Sequence, residues 1–312
     1  MMEPDDVPPA WLSSFLAVVD NATFTAAAAT THRSQPRVSA HVAGLERLLG
    51  RRLFERGSRP VQLTEAGERL LPHARAAMSE IRLGMEAVGS LGGDLQGTIV
   101  LGSFAGPSGV LLAPLIRRFR QSHPGVTIDL REGGPRWLED AVASFALDLS
   151  IRVADMPTHH DLAFRHLLDE HIVLALPIGH QVTQQPDPER HLDGLPLIVT
   201  GSPTEGWTDF TDRLSAAGIL PGSVLAVTHP TTVIAMVRAG LGIGMLGEMG
   251  ATISAFGDVD IRRLPGELWT RGIRAYWHPK RDLSVASRQF LDDLADTCGS
   301  ADQYSTVANS PA

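Results

Sequence analysis

The side chains in this sequence that could do chemistry fall into three separated groups. The first is Arg33, Ser34, Gln35, Pro36 and Arg37, with Ser39, Ala40 and His41 just beyond. Arginine and glutamine can each make two hydrogen bonds to a base edge, and an alanine methyl suits the methyl group of thymine. The second group is Arg56 and Arg59, flanking Gly57-Ser58 and followed by Pro60. Such a basic turn suits phosphates or a narrow minor groove, where arginine gains from the concentrated negative potential. The third group lies at three expected strand-to-helix junctions: Ser103 with Ser108, Thr200-Gly201-Ser202, and Thr228-His229-Pro230-Thr231. Hydroxyls there sit beside the free amides of helix N-termini, which favour anions, and Arg152 is the candidate charged partner.

No catalytic constellation of comparable strength is present, and the chain is not expected to be an enzyme. There is no P-loop, nucleophile elbow or HExxH motif. His159-His160 has no metal-ligand partner at useful spacing, and His123 precedes Pro124 at an expected helix end. Gly240-Leu241-Gly242-Ile243-Gly244 follows a helix, the wrong context for a dinucleotide fingerprint. Cys298 is the only cysteine, which excludes an intramolecular disulfide and a cysteine-based zinc cluster within one chain. It reads as a passive thiol near a frayed end. Neither a metal nor a cofactor is expected.

Positioning the first group requires a helix bracketed by its own sequence. Ser34 can cap it, Pro36 fits its first turn, and Gly50 can end it in the left-handed conformation. Val38, Val42, Leu45 and Leu49 share one face, which leaves Ala40, Ala43, Gly44 and Arg47 pointing away from it. Ahead lie a first helix around residues 11–19, a turn at Asp20-Asn21-Ala22, and a second helix from Phe24 to about His32, capped by Thr23 and thin at Ala26 to Ala29. Two short helices, a tight turn and a capped third helix make a helix-turn-helix. Residues 51–64 then read as a wing, with Val61 and Leu63 alternating as in a short strand.

From Glu65 to about residue 90 the chain reads as one long helix. Leu71, Met78 and Met85, and Ala74, Ile81 and Val88, each repeat every seven residues, the pattern of a coiled-coil dimerisation seam. Pro72 falls inside it and predicts a local bend. A glycine-rich hinge, residues 91–97, leads into apolar runs that alternate with helical patterns: parallel α/β units forming two subdomains with a cleft between.

The chain has 312 residues, enough for two or three modules. Its formal charge is −8, but from Val7 to Thr64 seven arginines face three carboxylates, a net +4, so the remainder carries −12. A basic N-terminal module is joined to an acidic body. No apolar run reaches the roughly 18 to 20 residues of a membrane span, and the acidic start is unlike a signal peptide, so a cytoplasmic location is expected.

Phe24-Thr25-x-Ala27-Ala28, Ser34-Gln35-Pro36-x-Val38-Ser39, Leu45-Glu46, Leu48-x-Gly50, Arg52-Leu53-Phe54-Glu55-Arg56 and Leu63-Thr64-x-Ala66-Gly67 together resemble the DNA-binding region of LysR-type transcriptional regulators. The resemblance runs from Leu12 to Gly67. It implies a winged helix-turn-helix, a long linker helix and an α/β effector domain of the type II periplasmic-binding-protein kind, assembled as a homodimer or homotetramer. It also implies that the glycine segment near residue 242 and Asp148 are structural. Two departures concern specificity: basic residues common in the family near positions 40, 43 and 44 are absent, and Arg37 stands where a small residue is usual.

The expected organisation is a disordered 1–9, a DNA-binding domain at 10–64, the linker helix at 65–90, an effector domain at 98–298 and a disordered tail at 299–312. Within the effector domain, residues about 98–165 and 268–298 form one subdomain and about 166–267 the other. The expected function is sequence-specific binding of double-stranded DNA at a pseudo-palindromic operator, in response to a small-molecule effector in the cleft. Its DNA-contacting residues are Arg33, Ser34, Gln35, Pro36, Arg37, Ser39, Ala40, His41, Arg56 and Arg59, and its effector-contacting residues Ser103, Ser108, Arg152, Thr200, Gly201, Ser202 and Thr228. The alternative is a small-molecule binding protein or enzyme with a vestigial DNA-binding module.

Overall fold

The computed structural model describes residues 7–89, 92–154, 158–201, 208–255 and 257–299. The chain divides into two units, residues 1–91 with 143–146, and residues 92–142 with 147–312.

The first unit is helical. Helices α1 (Pro9–Asn21), α2 (Phe24–Thr30) and α3 (Gln35–Leu49) precede the long α4 (Glu65–Gly89). Thr23 caps α2, its side-chain oxygen accepting from the Ala26 amide at 3.1 Å. Gly50 ends α3 at φ 63°, its amide donating to the Arg47 carbonyl. Ser34 holds the N-cap position of α3 without making the expected side-chain bond. Val38, Val42 and Leu45 are buried with Phe15, Val18, Leu53 and Phe54, and Leu49 packs at the margin.

Several expectations are corrected here. The ordered chain starts before residue 10: Val7 packs against this core and Pro9 opens α1, while residues 1–6 lie outside the described residues. Gly44 is not on the outward face of α3 but buried against Trp11, where a Cβ would lie 2.8 Å from the indole ring. The wing has no regular strand. It is held by one antiparallel bridge, Phe54 to Leu63, with the Glu55 amide donating to the Gln62 carbonyl at 2.9 Å. Leu71 and Ala74 are used by the unit's own core, leaving Ile81, Met85 and Val88 as the exposed part of the expected seam. Pro72 lies within α4.

Among the described residues the second unit is built on nine strands: β1 (Gly97–Ser103), β2 (Val126–Glu132), β3 (Leu149–Val153), β4 (Ala163–Pro177), β5 (Pro196–Thr200), β6 (Ser223–Val227), β7 (Ile243–Gly247), β8 (Val259–Arg263) and β9 (Thr270–Trp277). Their order is β2-β1-β3-β9-β4-β7-β5-β6, with β8 also paired to β4. β1 runs parallel to β2 and β3, and β5 parallel to β6 and β7. Around β4 and β9 the pairing is antiparallel, so the sheet is mixed rather than wholly parallel.

β4 begins eight residues earlier than its most apolar part suggests, and the sequence pattern did not single out β8. Helices α5 (Ala105–Pro107) and α6 (Ala113–Ser122), joined by a π-helical turn at Ser108–Leu112, follow β1. The others are α7 (Pro135–Ala143), α8 (Thr208–Ala216), α9 (Pro230–Arg238), α10 (Glu248–Ser254) and α11 (Val285–Gly299).

Successive β4 residues enter different cores, as the period of a strand requires. Ile172, Leu174 and Leu176 pack with Phe210, Leu214 and Trp269, while Val173 and Ala175 pack with Val233, Ile234 and Val237. A strand buried on both faces reads as a continuous apolar run. A third core gathers Ile99, Leu101, Phe119, Ile151 and Phe290. Cys298 belongs to it, and burial raises its thiol to about 11, so it is a core residue rather than a thiol at a frayed end. Gly242 and Gly244 are close-packing glycines: added Cβ atoms would lie 2.5 Å from the Pro196 carbonyl oxygen and 2.7 Å from Val233. Asp148 accepts from the Val100 amide at 2.9 Å and from Arg281 at 2.7 Å, a pinning role.

Gly67 permits α4 to start against the chain at Leu53. A Cβ there would overlap the Leu53 carbonyl oxygen and lie 2.7 Å from Leu63. Gly67→Ala should destabilise the first unit by about 1–3 kcal/mol, the usual penalty of overpacking. Thermal unfolding checks this; a melting profile unchanged from the parent chain would show that the backbone yields freely.

Candidate DNA-reading surface and effector cavity

Burial of one face of α3 decides which side chains remain available. Ser34, Gln35, Pro36, Arg37 and Ala40 are exposed, as are Ala43 and Arg47; Ser39 and His41 are half-buried. Arg33 differs from the rest of its group. Its Nη1 donates to Ser13 Oγ at 3.3 Å and Ser14 Oγ at 3.1 Å, so α1 fixes its direction. His41 Nδ1 lies 2.8 Å from the same Ser14 Oγ. Burial first, then the guanidinium groups of Arg33 and Arg37, hold the His41 pKa below its ordinary value. Arg56 and Arg59 are both exposed in the loop after Leu53-Phe54. The first unit thus offers exposed hydrogen-bonding side chains at a helix start and, separately, a pair of exposed arginines.

In the second unit a cavity of about 260 Å³ opens where several strands end. Phe104 follows β1, Glu132 ends β2 with Gly133-Gly134-Pro135 leading into α7, and Arg152 and Val153 end β3. Thr200 and Gly201 close β5, Thr228-His229-Pro230 connects β6 to α9, and Gly247 ends β7. Ligands of open α/β sheets bind at such carboxyl ends. The wall is mainly apolar, and Phe104, Leu138, Val153 and Phe210 are among its lining residues.

Of the seven residues expected to hold an effector, Arg152, Thr200, Gly201 and Thr228 line this cavity. Ser202 lies outside the described residues. Ser103 and Ser108 are not in the wall. Ser103 is fully buried, its hydroxyl 3.4 Å from the Phe104 carbonyl, and Ser108 is buried in the π-helical turn; Phe104 occupies the wall in their place.

Two guanidinium groups stand in the wall, each held by a buried carboxylate. Arg152, 1% exposed, donates through Nη2 to Glu139 Oε2 at 3.1 Å and lies 5.1 Å from the Tyr276 ring centroid. Glu139 Oε1 accepts from the His159 and His160 amides at 2.5 and 2.8 Å, while the His160 ring meets Asp140 at 3.0 Å. Arg271 Nε donates to Glu170 Oε2 at 2.8 Å, while Glu170 Oε1 accepts from the Met249 amide. Gly247 makes room for that pair: an added Cβ would overlap Arg271 Nη2.

Sequence reasoning missed Phe104, Phe210, Gly247 and Arg271. It also passed over Gly133-Gly134-Pro135, whose run after an apolar segment was a legible junction signal. Among the described residues, no cluster of three or more histidine, cysteine, aspartate or glutamate side chains could hold a metal ion, and no single helix is long and apolar enough to cross a membrane.

The combination defines a DNA-binding, ligand-responsive type of chain. Residues 9–68 match the bacterial regulatory helix-turn-helix protein of the lysR family, and residues 92–299 match the LysR substrate binding domain. The chain belongs to the LysR family of transcriptional regulators. It is 30% identical to the HTH-type transcriptional regulator AlsR of Bacillus subtilis, over 74% of this chain and 78% of that one. With XapR of Escherichia coli it shares 30% identity over 83% and 89% of the two chains. Its fold is similar to that of a full-length OxyR variant from Pseudomonas aeruginosa, with a TM-score of 0.71 and 24% identity over 93% and 94%. Full-length CbnR complexed with its target DNA superposes with a TM-score of 0.66 and 21% identity, over 93% and 99%.

The placement of His41 beside the exposed start of α3 predicts that DNA binding depends on pH. Burial, then Arg33 and Arg37, disfavours its proton in the free protein; phosphates nearby would offset the arginines and raise its pKa. Binding then takes up a proton, so affinity should rise about two- to threefold as the pH falls through the histidine range. Fluorescence anisotropy of a labelled duplex measures this. The same pH slope in His41→Gln would rule it out.

Proposed function

We propose that this regulator reads its operator with the first turn of α3 and grips the flanking backbone with the loop carrying Arg56 and Arg59. The observation that carries the reading is exposure: Ser34, Gln35, Pro36, Arg37 and Ala40 stand free on a helix whose other face is buried. Arg37 and Gln35 are suited to base edges, while Arg33 is held by Ser13 and Ser14 in a fixed direction. Ser39 and His41 flank that surface.

The reading extends to assembly and response. Ile81, Met85 and Val88 are 43%, 71% and 69% exposed, at helical spacing on α4, and we assign them to pairing with a second copy of the chain. Two copies would present two recognition helices to two half-sites. A small molecule in the cavity at the strand ends would shift the regulator between arrangements according to its differential affinity for them. The protein would act in the cytoplasm, where the DNA is.

Footprinting on the intergenic DNA beside its own gene tests the regulator; failure to protect any segment, with or without cell metabolites, would count against it. Arg37→Ala tests the reading residues. It should weaken the operator by about 1–3 kcal/mol while leaving random duplex nearly unchanged. Equal loss on both duplexes would make Arg37 a phosphate contact only.

A further inference from the structure

We infer that the cavity of the second unit takes a small carboxylate with an apolar body, its carboxylate held by Arg152. The inference rests on reading that cavity as the effector site, and deepens it by naming the ligand's chemistry. Arg152 is 1% exposed and lines the cavity, yet its Nε and Nη1 have no hydrogen-bond partner. Only Nη2 is engaged, by Glu139. Buried polar groups are nearly always paired, and a guanidinium donor left unmatched is costly. An acceptor supplied from the cavity would satisfy it.

Charge selects among acceptors. Glu139 and Glu170 each face one of the two wall arginines, and Glu132 adds a further, exposed carboxylate. The buried wall charges therefore cancel, two arginines against two carboxylates, and a single added negative charge is opposed less than the two of a phosphate monoester. The starts of α7 and α9, at Pro135 and Pro230, also border the cavity and favour negative charge at their N-termini. The remaining wall, including Phe104, Leu138, Val153 and Phe210, offers few polar partners and suits an apolar body. At about 260 Å³, the space admits a compact molecule.

The test is isothermal titration calorimetry on the full chain with three carboxylates, hexanoate, cyclohexanecarboxylate and phenylacetate, and with the corresponding primary amides. At least one carboxylate should bind saturably, about tenfold or more tighter than its amide. Arg152→Lys keeps a cation for Glu139 but removes the planar donors, and should weaken that carboxylate at least about tenfold. If Arg152→Lys fails to fold, the double variant Arg152→Gln/Glu139→Gln keeps a neutral hydrogen bond and should show the same loss. Amides binding as well as acids, unchanged binding in these variants, or no binding by any of the three acids would overturn the carboxylate inference. Thr228→Phe, which adds bulk to the cavity wall, separates that failure from failure of the site. Ligand binding that survives Thr228→Phe undiminished would overturn the cavity itself as the effector site.

Discussion

A guanidinium can be withdrawn from water only where a carboxylate receives it, and this constraint shapes the second unit. Arg152 meets Glu139, Arg271 meets Glu170 and Arg281 meets Asp148, all six side chains being 9% exposed or less. Such pairs contribute little net stability, because desolvation offsets most of the attraction. Their effect is on geometry. Each carboxylate also accepts from backbone amides: Glu139 from residues 159 and 160, Glu170 from Met249, Asp148 from Val100. Segments far apart in sequence are thereby fixed around strand ends, and the cavity walls inherit that order.

β4 provides the other constraint. Its first half pairs with β9 from Ala163 to His171, and its second half with β7 and β8. One strand therefore belongs to both halves of the sheet. Glu170 sits at the changeover, beside the register where β9 pairing gives way to β7. A ligand bridging Arg152 on β3 and Thr228 after β6 would touch both halves, which gives ligand binding a route to alter how they are held. Any such shift is limited to the ligand's differential affinity for the two arrangements.

Helical elements were legible where local chemistry dictates them. Thr23, Gly50 and the periodicity of Val38, Val42 and Leu45 marked α2 and α3, and the strand-end rule drew attention to Arg152, Thr200 and Thr228 before any geometry. What stayed hidden depends on long-range pairing. The amphipathic first half of β4, Ala163 to Glu170, is a strand because β9 lies beside it, not because its residues alternate cleanly. Arg271 could not be linked to Glu170 from residues a hundred positions apart, nor could Ser103 be distinguished from Phe104, since both follow the same apolar run. Ala74 fits a heptad seam and a domain core equally well; only packing separates the two.

Gly44 shows how a packing demand reaches into recognition. A helical wheel places it with Ala40 and Ala43, away from the apolar stripe, yet Trp11 of α1 presses so close that no side chain fits. That close approach binds α1 to α3 and costs the recognition helix a position that could have carried a basic residue. Ala40 and Ala43 leave the neighbouring turns nearly bare, so hydrogen-bonding capacity is displaced to the helix start, where Gln35 and Arg37 stand exposed. The serines of the same α1 hold Arg33 beside them. The helix that closes off position 44 therefore fixes the direction of Arg33, while Arg37 stands where a side chain can still project.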